Sequence, residues 1–374
     1  MSRLVAGRFR TLAVAGLVAL TGCGTSGSTA STSGSGTAAC VSQATKAADQ
    51  VKGPLALKAP TTPVNMKSLA GKSVWMVSAV QDEFNQTVGN SFIEASTAAG
   101  LKGRYVEAEG QVTRMGQLVQ EAVTAKASGI VLFNIDPNNV SGPLGAAKDA
   151  GIPVIDFNNG NPTDPVPPGI FAHVAFQFTA QGKDMADWML ADSKCNLHLA
   201  QFVLPTFPID TDLTQATEAE VKRLCASCTV VDTKFDITTF QTTLGPLAVT
   251  VARRYPNINY MNPAFDAFDG LVSPAIQQMG AKIKLVGHDG SASNLAAMRG
   301  HSTLQVMTDA TPPEPYLGWV LMDQLGRGMS GSQPADWGLP GRLVDQTNIG
   351  QTDADLFPAY QNFKGSFLST WGVG

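Results

Sequence analysis

Asp289 is the residue whose type and setting most directly suggest chemistry. It follows the apolar run Ile283 to Val286 and Gly287-His288, and precedes Gly290. Such a run reads as a short strand buried on both faces. Asp289-Gly290 then makes a sharp turn, and Ser291 to Asn294 opens a helix that ends at Gly300. A carboxylate at the C-terminal edge of a parallel sheet stands where open α/β sheets bind ligands. The same carboxylate could also serve as a helix cap.

Patterns for covalent or metal chemistry are missing. The sequence has no H-E-x-x-H, no P-loop and no G-x-S-x-G elbow, and no G-x-G-x-x-G follows its first strand. His173, His198, His288 and His301 are scattered and read as structural residues; His288 adjoins Asp289, but no nucleophile motif accompanies the pair. Asp210 and Asp212 imitate the start of a calcium loop that lacks its glycine and terminal glutamate. Neither catalysis, a metal nor a cofactor is expected.

The elements that would position Asp289 begin well after the N-terminus. Residues 1–22 read as a secretory signal, with Arg3, Arg8 and Arg10 ahead of an apolar core too short to span a bilayer. Leu20-Thr21-Gly22-Cys23 resembles a bacterial lipobox, which makes Cys23 a lipidation site. Gly24 to Ala39 is almost entirely Gly, Ser, Thr and Ala. It reads as a flexible tether, so 23–70 is assigned to lipidated cysteine, tether and linker. Removing the signal takes away three arginines and no acid, lowering the formal charge from −4 to −7. An acidic secreted body gives no reason to expect nucleic-acid binding. Cys40, Cys195, Cys225 and Cys228 remain, an even number with three possible connectivities. Cys225 and Cys228 also fit a redox or half-zinc spacing, but without a second pair or a nearby histidine a structural bridge is favoured.

From Gly71 the chain alternates strands and helices, the signature of βαβ units. Strands are expected at 72–80, 104–109, 129–135, 152–157 and 170–176 in a first series. A second series follows at 197–204, 229–234, 258–261, 283–286 and 303–307, and a long last helix is expected at 314–325. Residues 342–374 read as irregular with some extended character. Helices are also expected at 41–52, 84–99 and 180–191. Two similar αβ series predict two similarly built domains.

The order of several landmarks resembles the type I periplasmic binding proteins, specifically the ribose-binding-like receptors of sugar ABC importers. These landmarks are Gln81-Asp82-Glu83-Phe84, Gly129 to Asn134, Gly151 to Ile155, Asp266 to Gly280 and Val286 to Gly290. The resemblance implies an α/β fold of two Rossmann-like lobes with parallel sheets joined by three crossovers. One lobe would be 72–174 with 310–338 and the other 175–309 with 339–374, crossing near Val174, Asp309 and Leu339.

The resemblance also implies a ligand set. Asp82 takes the polar position after the first strand, and Phe84 that of the aromatic stacking on a sugar face. Asn158 and Asn159 replace a carboxylate and an arginine after the fourth strand. Gln215 falls near the second arginine. Phe265 and Asp266 fall on the pair before a long helix, Asp289 on the Gly-x-Asp-Gly aspartate and Asp309 on the second hinge. Amides cannot reproduce arginine's paired donors. The acids left suit a sugar, a polyol or a solute carrying an amine, and suit an anion poorly. The implied protein is an extracytoplasmic monomer, lipid-anchored to the membrane, that delivers its solute to an ABC permease. A receptor for signalling or autoinducer uptake is the alternative, and a secreted hydrolase a third reading.

Overall fold

The computed structural model describes residues 32–358 and 362–374. Cys23 and the 1–22 leader therefore lie outside the described residues. Buried β-rich runs build two sheets. The first carries β1 (Ser73–Ser78), β2 (Lys102–Glu107), β3 (Gly129–Phe133), β4 (Val154–Phe157) and β5 (Ala172–Val174). All its pairings are parallel, in the order β2-β1-β3-β4-β5. The second carries β6 (His198–Val203), β7 (Thr229–Lys234), β8 (Tyr260–Asn262), β9 (Lys284–Asp289), β10 (Gln305–Ala310) and β11 (Arg342–Asp345). Its order is β11-β10-β9-β8-β6-β7, with only β11 antiparallel. Every residue of β3 and all of β1 from Val74 are buried, because helices cover both faces of a parallel sheet.

The helices are α1 (Thr32–Gln50), α2 (Glu83–Ala98), α3 (Val112–Thr124), α4 (Ser141–Asp149), α5 (Phe178–Asp192), α6 (Pro208–Leu224) and α7 (Phe240–Arg254). They continue with α8 (Asp269–Met279), α9 (Ala292–Arg299), α10 (Glu314–Ser330), the single turn α11 (Asp353–Leu356) and α12 (Phe363–Trp371). α10 is buried from Tyr316 to Arg327 and packs on α2 and on the first sheet. Its one internal ion pair, Asp323 to Arg327 at 2.7 Å, is completed by Trp371 Nε1 at 2.8 Å from the same carboxylate.

The chain passes between the sheets from β5 to α5, from β10 to α10 and from α10 to β11, near Val174, Asp309 and Leu339. A parallel bridge between Phe176 and Leu339 ties the first and third passages together.

Three expectations need correction. The stretch read as tether becomes helical at Thr32. α1 packs on α5, and Cys40 is bonded to Cys195. The remaining pair is Cys225–Cys228, so one of the three connectivities is realised. Second, the linker before β1 is packed against the first lobe: Tyr316 Oη donates to the Lys58 carbonyl and Arg327 to that of Thr62. Third, 339–374 does not stay with the second lobe. β11 does, but α12 returns to pack on α10. Phe363, Phe367 and Trp371, all buried at a spacing of four, form one helical face that drives this return.

Candidate ligand-binding cleft

The C-terminal edges of the two sheets face each other, and one cleft is lined from both. The first lobe contributes Val80, Asp82, Phe84, Asn85, Asn134 and Asn158; the second contributes Phe207, Ile237, Phe265, Phe268 and Asp289. The cavity between them measures about 20 Å³. That is room for roughly one water, so a solute of monosaccharide size enters only when the lobes part. Larger, more open concavities lie on the outer face of the first lobe, around Trp75 and Arg104, and along the hinge near Trp337. Neither is reached by side chains from both sheet edges.

Local backbone geometry aims the polar residues. Asn134, Asn158 and Asp289, at the ends of β3, β4 and β9, have φ of 56°, 65° and 109°. The left-handed region is costly for residues with a Cβ, least so for Asn and Asp, and such strain of about 1–3 kcal/mol each concentrates at functional sites. Gly290 follows at φ 76°; a Cβ there would lie 2.4 Å from that of Ala310. Asp82 caps α2 by accepting the Asn85 N–H at 2.8 Å. Burial, with Asp289 opposite adding to it, pushes the Asp82 carboxyl up to about 6.

Three amides form a directed relay. Asn158 Nδ2 donates to Asn134 Oδ1 at 2.6 Å, and Asn134 Nδ2 to Asn85 Oδ1 at 3.4 Å. Asn85 Nδ2 donates to Ser78 Oγ at 2.7 Å and to the Val80 carbonyl at 3.2 Å. Phe rings continue the lining across the lobes. Phe84 packs on Phe133 and Phe176, Phe265 on Phe207 and Phe268. His288 lies between Phe178 and Phe265.

Beneath Asp289 lies a buried shell of acids around His288. His288 Nδ1 is 3.1 Å from Asp289 Oδ1, although the angle is not that of a hydrogen bond. Burial disfavours the imidazolium, but Asp289, Asp266 and Asp210 outweigh it and raise the His288 pKa. Burial lifts Asp210 and Asp266 to about 7 each.

Of the residues implied by the resemblance, Asp82, Phe84, Asn158, Phe265 and Asp289 meet in the cleft. Four do not line it. Asn159 turns away, donating to Asp156 at 2.6 Å and to the Ile135 carbonyl at 3.0 Å. Gln215 is exposed on α6. Asp266 is fully buried below the cleft, accepting from the Gly290 N–H at 2.9 Å, Thr308 Oγ1 at 2.8 Å and Gln305. Asp309 is sealed in the hinge, where a Cβ on Gly341 would come within 2.1 Å of its Oδ1. Burial pushes its pKa well up.

Missed by sequence reasoning were Val80, Asn85, Asn134, Phe207, Ile237 and Phe268. Asn134 could have been found, because an amide that ends an all-apolar central strand occupies the same edge position as Asp289. The aromatics Phe207 and Phe268 carried no local signal.

Two α/β lobes, hinged by three passages of chain and closing on one cleft, define a bilobal binding clamp. The chain belongs to the periplasmic binding protein family: residues 73–328 match its periplasmic binding protein domain. Among solved structures, a sugar ABC transporter protein from Yersinia enterocolitica superposes with a TM-score of 0.70 at 16% identity, covering 85% of this chain and 100% of that one. An ABC transporter solute-binding protein from Agrobacterium vitis with bound allitol gives 0.66 at 18%, covering 75% and 97%. Another, from Bacillus halodurans with bound myo-inositol, gives 0.67 at 15%, covering 76% and 98%. At these identities the likeness is one of fold. No curated protein matches the sequence.

Proposed function

We propose that the protein is the solute-binding component of an ABC importer. It captures a sugar, polyol or similar small polar molecule between its lobes and presents the closed form to a membrane permease. The observation that carries this reading is that Asp82 and Phe84 of one lobe and Phe265 and Asp289 of the other line a single cleft. Rings supply apolar faces for a solute's C–H surface, carboxylates accept its hydroxyls, and closure excludes water. The solute leaves unchanged. The family membership and the polyols bound by two structural neighbours support the solute class. Lipidation at Cys23 would hold the body at the outer face of the membrane.

The test is a thermal-shift screen against sugars, polyols, amines and amino acids. Binding to the folded state at a hundredfold excess over Kd stabilises by about 2.7 kcal/mol. The shift should shrink in Phe84→Ala and Asp289→Asn. Shifts of undiminished size in both variants, or a screen without any shift, would overturn the assignment.

A further inference from the structure

We infer that the interlobe cleft selects a solute carrying a protonated amine, met by carboxylates from both lobes, an unpartnered amide oxygen and phenyl faces. This deepens the solute-binding reading and rests on it. The first observation is the direction of the amide relay. The Val80 carbonyl can only accept, so it fixes the nitrogen end of Asn85 towards itself. Asn85 Oδ1 then receives Asn134, and Asn134 Oδ1 receives Asn158. Each amide nitrogen thus already donates within the protein, Asn85 through both N–H groups and Asn134 and Asn158 through one each. The acceptor left at the cleft end is Asn158 Oδ1, which has no donor although the residue is only 3 % exposed.

The second observation is charge. Asp82 and Asp289 approach from opposite lobes, and among the described residues lining the cleft none is Lys or Arg. His288 lies 3.1 Å from Asp289, outside the cleft lining. Closing two carboxylates on each other in a partly dehydrated site therefore stays unfavourable unless a proton or another positive charge enters between them. A neutral hydroxyl can donate to either acid but cancels no charge. An ammonium has three donors and no acceptor, which matches the Asp82 and Asp289 carboxylates and Asn158 Oδ1. The third observation is the set of Phe84, Phe207, Phe265 and Phe268 around the same cavity. Ring faces attract cations, and do so more strongly when water is excluded.

Isothermal titration with matched pairs tests this on the unaltered protein: D-glucosamine against D-glucose, 1-amino-1-deoxyglucitol against glucitol, and choline against 3,3-dimethylbutanol. The amine of at least one pair should bind at least about tenfold tighter than its neutral partner. That preference should fall below about threefold in Asp82→Asn and Asp289→Asn. Equal or tighter binding of the neutral partners, or hits confined to neutral sugars and polyols, would overturn the amine inference and leave the solute-binding reading standing. An amine preference retained in both variants would overturn the placement of the charge contact. Failure of every compound in both this titration and the wider screen would overturn inference and reading together.

Discussion

Glu83, at the start of α2, accepts both the backbone N–H of Ser293 at 3.2 Å and its Oγ, and so joins the two lobes at the mouth of the cleft. A second link, Asn161 Nδ2 to Asp212 Oδ2 at 2.9 Å, joins the loop after β4 to α6. Both contacts run from one lobe to the other, so parting the lobes breaks them. Because both Glu83 and Ser293 are exposed, the link contributes about 1 kcal/mol. Glu83→Ala should therefore weaken solute binding roughly three- to tenfold, almost wholly through faster release. Stopped-flow dissociation measures this; an unchanged off-rate would show that the link does not hold the closed state.

Asp345 gathers Lys52 Nζ at 2.8 Å, Trp188 Nε1 at 2.7 Å and the Thr347 N–H at 2.8 Å, fastening β11 to α5 and to the chain just after α1. Burial alone would raise its pKa, but the hydrogen bonds from Lys52, Thr347 and Trp188 bring it below the ordinary value. A depressed carboxylate stabilises the fold above its unfolded pKa of about 3.9, and that stabilisation is lost as pH falls through the folded value. Asp345→Asn should cost roughly 1–3 kcal/mol at pH 7, with the deficit closing as pH falls below the ordinary carboxylate range. Urea titrations at neutral and at acid pH provide the comparison.

The two disulfides should differ in weight. Cys40–Cys195 closes a loop of 155 positions, whereas Cys225–Cys228 closes one of 3. Chain entropy assigns the long loop roughly 3–5 kcal/mol and the short one about 2 or less. Denaturant midpoints of Cys40→Ser/Cys195→Ser and Cys225→Ser/Cys228→Ser should separate accordingly. Equal losses would mean that α1 is held by packing rather than by its bridge.

Helix contact in the first lobe depends on Gly318. A Cβ there would lie 2.4 Å from Phe92 N and 2.6 Å from Ser91 C, both backbone atoms of α2. Alanine gains up to about 1 kcal/mol in helix propensity, but overpacking against an immovable backbone costs roughly 1–3 kcal/mol. Gly318→Ala should therefore destabilise. Gly116→Ala, in α3 with nothing within 4 Å of its Cβ position, should stabilise. Paired melting curves give both signs at once.

The β–α alternation by itself determined the two lobes, the strand at Gly129–Phe133 and the position of Asp289 at a strand end, because periodicity and turn residues are local properties. It also held the α12 face at Phe363, Phe367 and Trp371, unread behind weak flanking signals. Which residues share the cleft was decided only by the tertiary structure. Asn158 and Asn159 are neighbours of the same type, yet a φ of 65° at Asn158 leaves it in the cleft while Asn159 is drawn to Asp156. Asp266 opens the 3-10 turn after β8 and Asp289 ends β9, and both are acids. The Gly290 N–H, Gln305 and Thr308 draw Asp266 below the surface, and Asp289 stays at it. Phe207 and Phe268 became lining residues only because a second sheet edge closed over the first. Side-chain direction at a strand end depends on one or two backbone angles and on partners distant in sequence, and residue type and spacing carry neither.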